Sequence, residues 1–339
     1  MKAMRKSAIK PAAADSDEHL ALISRLYHVD GLGQNEVAKL ANVSQAKVSR
    51  LLALAKERGI VRISVAEYNP RRQDLEEQLR DRFGLTNVMV IKSSEGLKSE
   101  DLRRTVGYFG AAAVNPLLAA DDIIALAGGR TIHELVRHLP VENAKSLTVV
   151  QAMGTVDSNV SLFDAQEVGR VMAQRLGGTF LSLNTPAFIP EKRTRDSLLE
   201  LGQVRNVRER LGRATLAIVG LGTLANSVFV ERGTLNTAMI RELERTGAVG
   251  EVCGRFIDAG GEECRTVWRD RVIGLEIDQL RRIPQVIAVV SGNDRSEAIL
   301  AAIAGDLINS LLIDETGANS LLASAATSAS HSGKRSNLK

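Results

Sequence analysis

From residue 18 onward the apolar positions recur at three- and four-residue spacing, and from residue 87 they switch to short continuous runs. The first regime predicts amphipathic helices, the second predicts strands covered on both faces. Leu20, Ile23, Leu26 and Tyr27 form the apolar stripe of a helix over 18–29 that ends before Gly31. Val37, Ala38, Leu40 and Val43 give the inward face of a second helix closed at Ala41, and Val48, Leu51 and Leu52 that of a third. Ser44 suits the N-cap of the third helix, Asn42 tolerates the turn before it, and Ala38 is small where two helices cross. Arg58-Gly59 stops the third helix, after which Val61, Ile63 and Val65 alternate with Arg62 and Ser64. That alternation predicts a half-buried strand, so residues 18–68 read as a winged helix-turn-helix.

Asn69-Pro70 marks the next boundary, with Asn as N-cap and Pro at the first helical position. Leu75, Leu79 and Phe83 line the helix that follows, either a dimerising coil or the first helix of a second domain. Strands are expected at 87–92, 122–127, 147–152, 179–183, 214–220 and 285–291, with helices between most of them. Val/Ile/Leu runs of this kind belong to a doubly wound, mostly parallel sheet, so the fold class is α/β over residues 69–324. The small, polar tail 325–339 is expected to be disordered.

The chain has 339 residues, 44% hydrophobic and 25% charged, with 3% aromatic, enough for a second domain with its own core. It contains no apolar run of membrane-spanning length and no signal-peptide pattern, so a cytoplasmic protein with no membrane partner is expected. Cys253 and Cys264 form no paired-cysteine motif, which argues against structural zinc. Net charge is +4 overall, yet residues 1–66 hold eleven Lys and Arg against six Asp and Glu. The basic excess sits at the N-terminal end, where it favours phosphates. Four of those cations, Lys2, Arg5, Lys6 and Lys10, belong to an expected flexible arm over 1–17; without them the segment is near neutral.

On the third helix the side chains left outside are Gln45, Lys47, Ser49 and Arg50, which together with Gln34 and Ser44 are the candidate contacts to base edges and phosphates of double-stranded DNA. In a parallel sheet a ligand crevice lies at the carboxyl ends of the strands. Three glycine turns fall there: Gly128-Gly129-Arg130-Thr131, Gly220-Leu221-Gly222, and Ser291-Gly292-Asn293-Asp294-Arg295. Arg130 and Arg295 would supply charge-assisted bonds to an oxyanion, Thr131 a hydroxyl, and the glycines a close backbone approach. Residues 220–225 match G-x-G-x-x-A, but the acidic residues at the dinucleotide spacing, Glu242 and Glu244, fall in a helical pattern; a second loop bordering the same crevice is the preferred reading. Asp258 could accept from sugar hydroxyls or simply close an acidic turn. His133 and His138 are five apart and do not share a helix face, and no nucleophile elbow, P-loop or metal cluster is present, so neither catalysis nor a cofactor is expected.

The run SRLYHVDGLGQNEVAKLANVSQAKVSRLLALAKERGIVRISV, with DDIIALAGGRTIHELV, Thr185-Pro186, AIVGLGTL, GRFIDAGG and VSGNDRSEAILAAIAGDLINSLLIDE, resembles the SorC family of sugar-binding bacterial transcriptional regulators over residues 18–324. The resemblance implies an effector domain similar to the sugar-phosphate isomerase and deaminase sheet, a homo-oligomer (dimer or tetramer), and a sugar, sugar phosphate or polyol as effector. It also places Gly129, Arg130 and Thr131 on the family's anion-binding loop, Asp258 on its acidic sugar contact, and Arg295 where many members carry Lys. Two departures stand out: Gln45 replaces a common Arg, implying a different operator preference, and Gly-Gly-Arg-Thr replaces Trp-Gly-x-Thr. The rival readings are a sugar-phosphate isomerase or deaminase fused to a DNA-binding module, and a nicotinamide-dependent redox sensor acting through the GLGTLA loop.

Overall fold

Ser16 and Ser44 open two of the first three helices, each side-chain oxygen accepting from a backbone N–H three residues on, at His19 and Lys47. The computed structural model describes residues 16–94, 96–141 and 145–336, with side chains as far as residue 327; the basic arm 1–15 lies outside them. By contacts the chain divides between Asn69 and Pro70.

In the first unit α1 (Asp17–His28), α2 (Gln34–Leu40) and α3 (Gln45–Glu57) enclose one small core. Leu20, Ile23, Val37, Val48 and Ala55 are fully buried in it. Asn42 takes a left-handed φ of 52° and returns Val43 to that core, so Leu40, expected inside, is left 65% exposed. The expected wing is absent: no strand forms among the described residues 61–69, and Ile63 and Val65 are 59% and 81% exposed. Alternation prepares a segment for a sheet, but a strand needs a hydrogen-bonding neighbour, and the three helices supply none.

Asn69-Pro70 does not cap a helix. Lys92 N–H donates to the Pro70 carbonyl and Arg72 N–H to that of Val90, so this segment runs along the first strand and α4 begins only at Gln73 (Gln73–Phe83). Leu75 and Leu79 of α4 are buried in the large core, which makes it a helix of the second domain rather than a separate coil. Glu76 ties this corner together, accepting from Arg71 at 2.7 Å and from Val90 N–H at 2.9 Å.

The sheet strands are β1 (Asn87–Ile91), β2 (Ile123–Leu126), β3 (Thr148–Gln151), β4 (Thr179–Leu181), β5 (Leu216–Val219), β8 (Gln285–Val289) and β9 (Ser310–Asp314), all parallel, in the order β1-β9-β8-β5-β2-β3-β4. Two further strands, β6 (Gly250–Val252) and β7 (Arg255–Ile257), form a separate antiparallel hairpin closed by Cys253 and Gly254, both at positive φ. The six expected strands are present; β9 and the hairpin were not anticipated. From β2 the chain winds outward through β3 and β4, and from β5 outward through β8 and β9. Right-handed crossovers in opposite directions place helices on both faces, and the winding reverses between β2 and β5.

The helices of the second unit are α5 (Ser99–Val114), α6 (Arg130–His138), α7 (Ala165–Leu176), α8 (Lys192–Leu199), α9 (Gly202–Leu211), α10 (Val228–Glu231), α11 (Thr237–Arg245), α12 (Ile277–Leu280), α13 (Ser296–Ala304) and α14 (Glu315–Ser336). Helix α14 corrects the expectation of a disordered tail from residue 325: Ala318, Leu321 and Ala325 repeat at helical spacing, are buried, and hold the helix beside α13. Residues 337–339 lie outside the described chain.

Candidate functional site

The two strands that flank the reversal and the next strand on each side all end in turns, and these four turns surround one cavity of about 190 Å³. Ala127–Thr131 follow β2, Gly220–Gly222 follow β5, Met153–Val156 follow β3, and Ser291 and Arg295 follow β8. Carboxyl ends of parallel strands at a reversal are where this architecture leaves a crevice. Gly128 is required there because a Cβ would lie 2.6 Å from the Phe163 carbonyl oxygen, and Gly129 has φ 144°. The N–H of Gly129 is already spent on the Phe163 carbonyl at 2.8 Å, so the loop offers a ligand less backbone than two glycines suggest.

Four guanidinium groups line the cavity. Arg130 bonds Glu231 at 2.5 Å and sits 5.8 Å above the Phe163 ring; Arg295 bonds Asp294 at 2.7 Å and the Ser291 carbonyl at 2.9 Å. Arg232 bonds Asp157 at 3.0 Å and lies 3.9 Å from Asp164, holding the Asp157 carboxyl below its usual range. Arg103, from α5, makes no hydrogen bond or ion pair among the described residues. Burial, then the proximity of Arg130 and Arg295, lowers its pKa, so an anion placed among the three would relieve repulsion.

The opposite chemistry comes from Glu251 on β6. It is buried and lines the same cavity, and burial pushes its carboxyl up to about 7, with the Ser227 hydroxyl pulling weakly the other way. Near neutrality this group both donates and accepts, which suits an alcohol. Gly222 and Glu251 exchange two backbone hydrogen bonds of 2.9 Å, which fixes the β5 loop to the hairpin. Cys253 also lines the cavity, and burial pushes its thiol up to about 12, so it stays a neutral, unreactive group.

Of the residues expected around an effector, Gly128, Gly129, Arg130, Thr131, Gly222 and Arg295 come together. Thr131 and Ser291 hydroxyls meet at 3.1 Å, joining two of the three turns. Asp258 does not join them: its Oδ1 accepts from Gly260 and Glu262 N–H, at 2.9 and 3.0 Å, and shapes its own turn. Arg103, Arg232 and Glu251 were missed, because no glycine turn or strand end advertises them. The dinucleotide reading also loses its support, since the β5 loop leads into a single turn at Leu224–Asn226 and not into a helix whose N-terminus could hold a pyrophosphate.

In the first unit, Gln34 begins α2 and Gln45 begins α3, and Gln45 Nε2 donates to Gln34 Oε1 at 3.1 Å. Ser44 is the cap residue, and Ser49 and Arg50 lie exposed on α3 with Lys47 half-buried. Lys47 and Arg50 form no ion pair among the described residues, whereas Arg58 is paired with Asp17 at 2.9 Å. No group of His, Cys, Asp and Glu among the described residues is placed to hold a metal, and no helix there is long and apolar enough to cross a membrane.

Residues 70–323 match the sugar-binding domain family model. An uncharacterised transcriptional regulator of Escherichia coli K12 is 29% identical over 313 residues, covering 91% of this chain and 95% of that protein. The erythritol catabolism regulatory protein of Brucella abortus is 29% identical over 315 residues, 91% of this chain and 98% of its own. The full-length sorbitol operon regulator SorC of Klebsiella pneumoniae superposes with a TM-score of 0.72 at 26% identity, over 91% of this chain and 99% of that structure. With its parallel sheet, its cavity at the winding reversal and a family match across three quarters of its length, the chain belongs to the SorC family of sugar-binding transcriptional regulators.

Proposed function

We propose that the protein is a ligand-controlled transcriptional regulator: α2 and α3 form a helix-turn-helix that grips an operator, and a small polyhydroxylated effector in the cavity of the second unit sets its affinity. The observation that carries this reading is the cavity itself, which sets the cations Arg103, Arg130, Arg232 and Arg295 and the protonatable Glu251 on one space. Relatives are named for control of sorbitol and erythritol genes, which supports a polyol or sugar. The cationic lining favours an effector that also carries an oxyanion, phosphate or carboxylate, near Arg103. No turnover is needed, and Glu251, the cavity carboxyl that burial pushes up to about 7, has among the described residues no titratable acid or base hydrogen-bonded to it that would make a catalytic pair. The regulator acts in the cytoplasm as a homo-oligomer, since a two-fold operator is read by paired helices.

A thermal-shift screen of sugars, polyols and their phosphates and acids tests the reading. A ligand at a hundred times its Kd adds about 2.7 kcal/mol of stability, so at least one compound should raise Tm by several degrees. A flat screen, together with conversion of any sugar phosphate to product, would favour the enzyme reading.

A further inference from the structure

The side chains that begin α2 and α3 are already joined before any DNA arrives. Gln45 Nε2 donates to Gln34 Oε1 at 3.1 Å, across the ten residues that separate them. Gln45 is exposed at the first position of α3, the end of a recognition helix that enters a groove, and it is followed on the same helix by Lys47 and Arg50, which form no ion pair among the described residues. Of its two N–H donors one goes to Gln34; the adenine-matching edge is the carbonyl with the N–H cis to it, so the bond to Gln34 must use the N–H trans to the carbonyl.

We infer that Gln45, braced by Gln34, reads an adenine edge in the major groove of the operator. This rests on the first unit being the operator-binding part. An adenine presents an acceptor at N7 and a donor at N6, which the remaining N–H and carbonyl of Gln45 match as a bidentate pair. Guanine offers two acceptors there, so the Gln45 carbonyl would face another carbonyl; cytosine offers a donor alone, and thymine an acceptor and a methyl group. Each mismatch leaves a desolvated amide group unpaired. Gln34 is a positioning residue: its carbonyl holds Gln45 in register, and its own two N–H groups remain for a neighbouring phosphate oxygen.

The test is selection of binding sites from a randomised duplex pool by the full-length protein at fixed salt, followed by competition binding. The wild type should enrich sites with adenine at one position of each half-site, and replacing it by guanine should weaken binding roughly five- to 150-fold, the equivalent of ~1–3 kcal/mol for a bidentate pair. Gln45→Ala should lose preference at that position alone while other positions stay selected, and Gln45→Lys should shift it toward guanine. Gln34→Glu keeps the acceptor but loses the donors, so it should retain the adenine preference with weaker overall binding; Gln34→Leu should blur the preference itself. Sites selected by Gln45→Ala that match the wild type at every position would overturn the inference while leaving operator binding intact. A wild-type pool that enriches no sequence would instead overturn the operator reading, and the inference with it.

Discussion

Glu251 is a cavity carboxyl that burial brings close to neutral pH, and its effect on stability has a definite sign. Its carboxyl titrates near 7 in the fold against an ordinary value of 4.5. Between those values the folded state holds a proton that the unfolded state has released, so its stabilising contribution is complete below about pH 4.5 and is lost as pH rises through 7. A shift of that size corresponds to roughly 3 kcal/mol. Melting measured from pH 5 to pH 8 should show Glu251→Gln losing less stability than the wild type across this window; parallel curves would contradict the assignment. The cations make a second prediction. Arg103→Ala should leave operator binding alone and weaken an oxyanion-bearing effector by about ten- to a hundred-fold, the loss of a charge-assisted bond worth ~1.5–3 kcal/mol, while a neutral polyol is affected little. Arg130 and Thr131 could be read from the chain because they follow a strand that ends in two glycines. Arg103 and Glu251 could not, because α5 and β6 reach the cavity only through the topology of the sheet.

At the scale of elements, what is legible in the sequence depends on how local its cause is. Asn42 at positive φ, Ser44 accepting from Lys47 N–H, and the buried faces of α1 and α3 all follow from neighbours within one or two turns, and all were legible. The strand at 61–65 was read from an equally regular pattern and is absent, because a strand depends on a partner that no local pattern guarantees. Helix α4 shows the same limit: the N-cap at Asn69 was locally sound, but β1 captured Pro70 and Arg72 first. β9 lies outside the expected strands although Ser310–Asp314 is buried throughout: its Leu-Leu-Ile core is only three residues long and follows closely on the apolar helix α13 and Leu307-Ile308. Two element-level substitutions test this account. Ser44→Ala should destabilise the first unit by about 1 kcal/mol through loss of the α3 cap, seen as a lower melting transition for that unit. Gly107→Ala should cost ~1–3 kcal/mol, because its new Cβ would lie 2.4 Å from the Glu134 backbone where α5 and α6 pack together. An unchanged transition in either variant would contradict the corresponding contact.

For the whole molecule, the proposed function requires coupling between two units: three helices that carry the exposed Gln45, Ser49 and Arg50, and a parallel sheet whose winding reversal makes a pocket. Reciprocity follows from linkage, so an effector that weakens or strengthens operator binding must have its own affinity changed by operator in the same ratio, typically 5–150-fold. The family resemblance carries the proposal of a sugar or polyol effector; the glycine turns and cations at the strand ends made the position of the cavity legible. The most direct measurement is operator affinity by fluorescence anisotropy at fixed salt, titrated with sugars, polyols and their phosphates and acids, for the wild type and Arg130→Ala. The account predicts that at least one of these compounds shifts wild-type affinity at least five-fold and that Arg130→Ala binds operator normally but responds less. Operator affinity indifferent to every compound, or an Arg130→Ala response equal to that of the wild type, would contradict it.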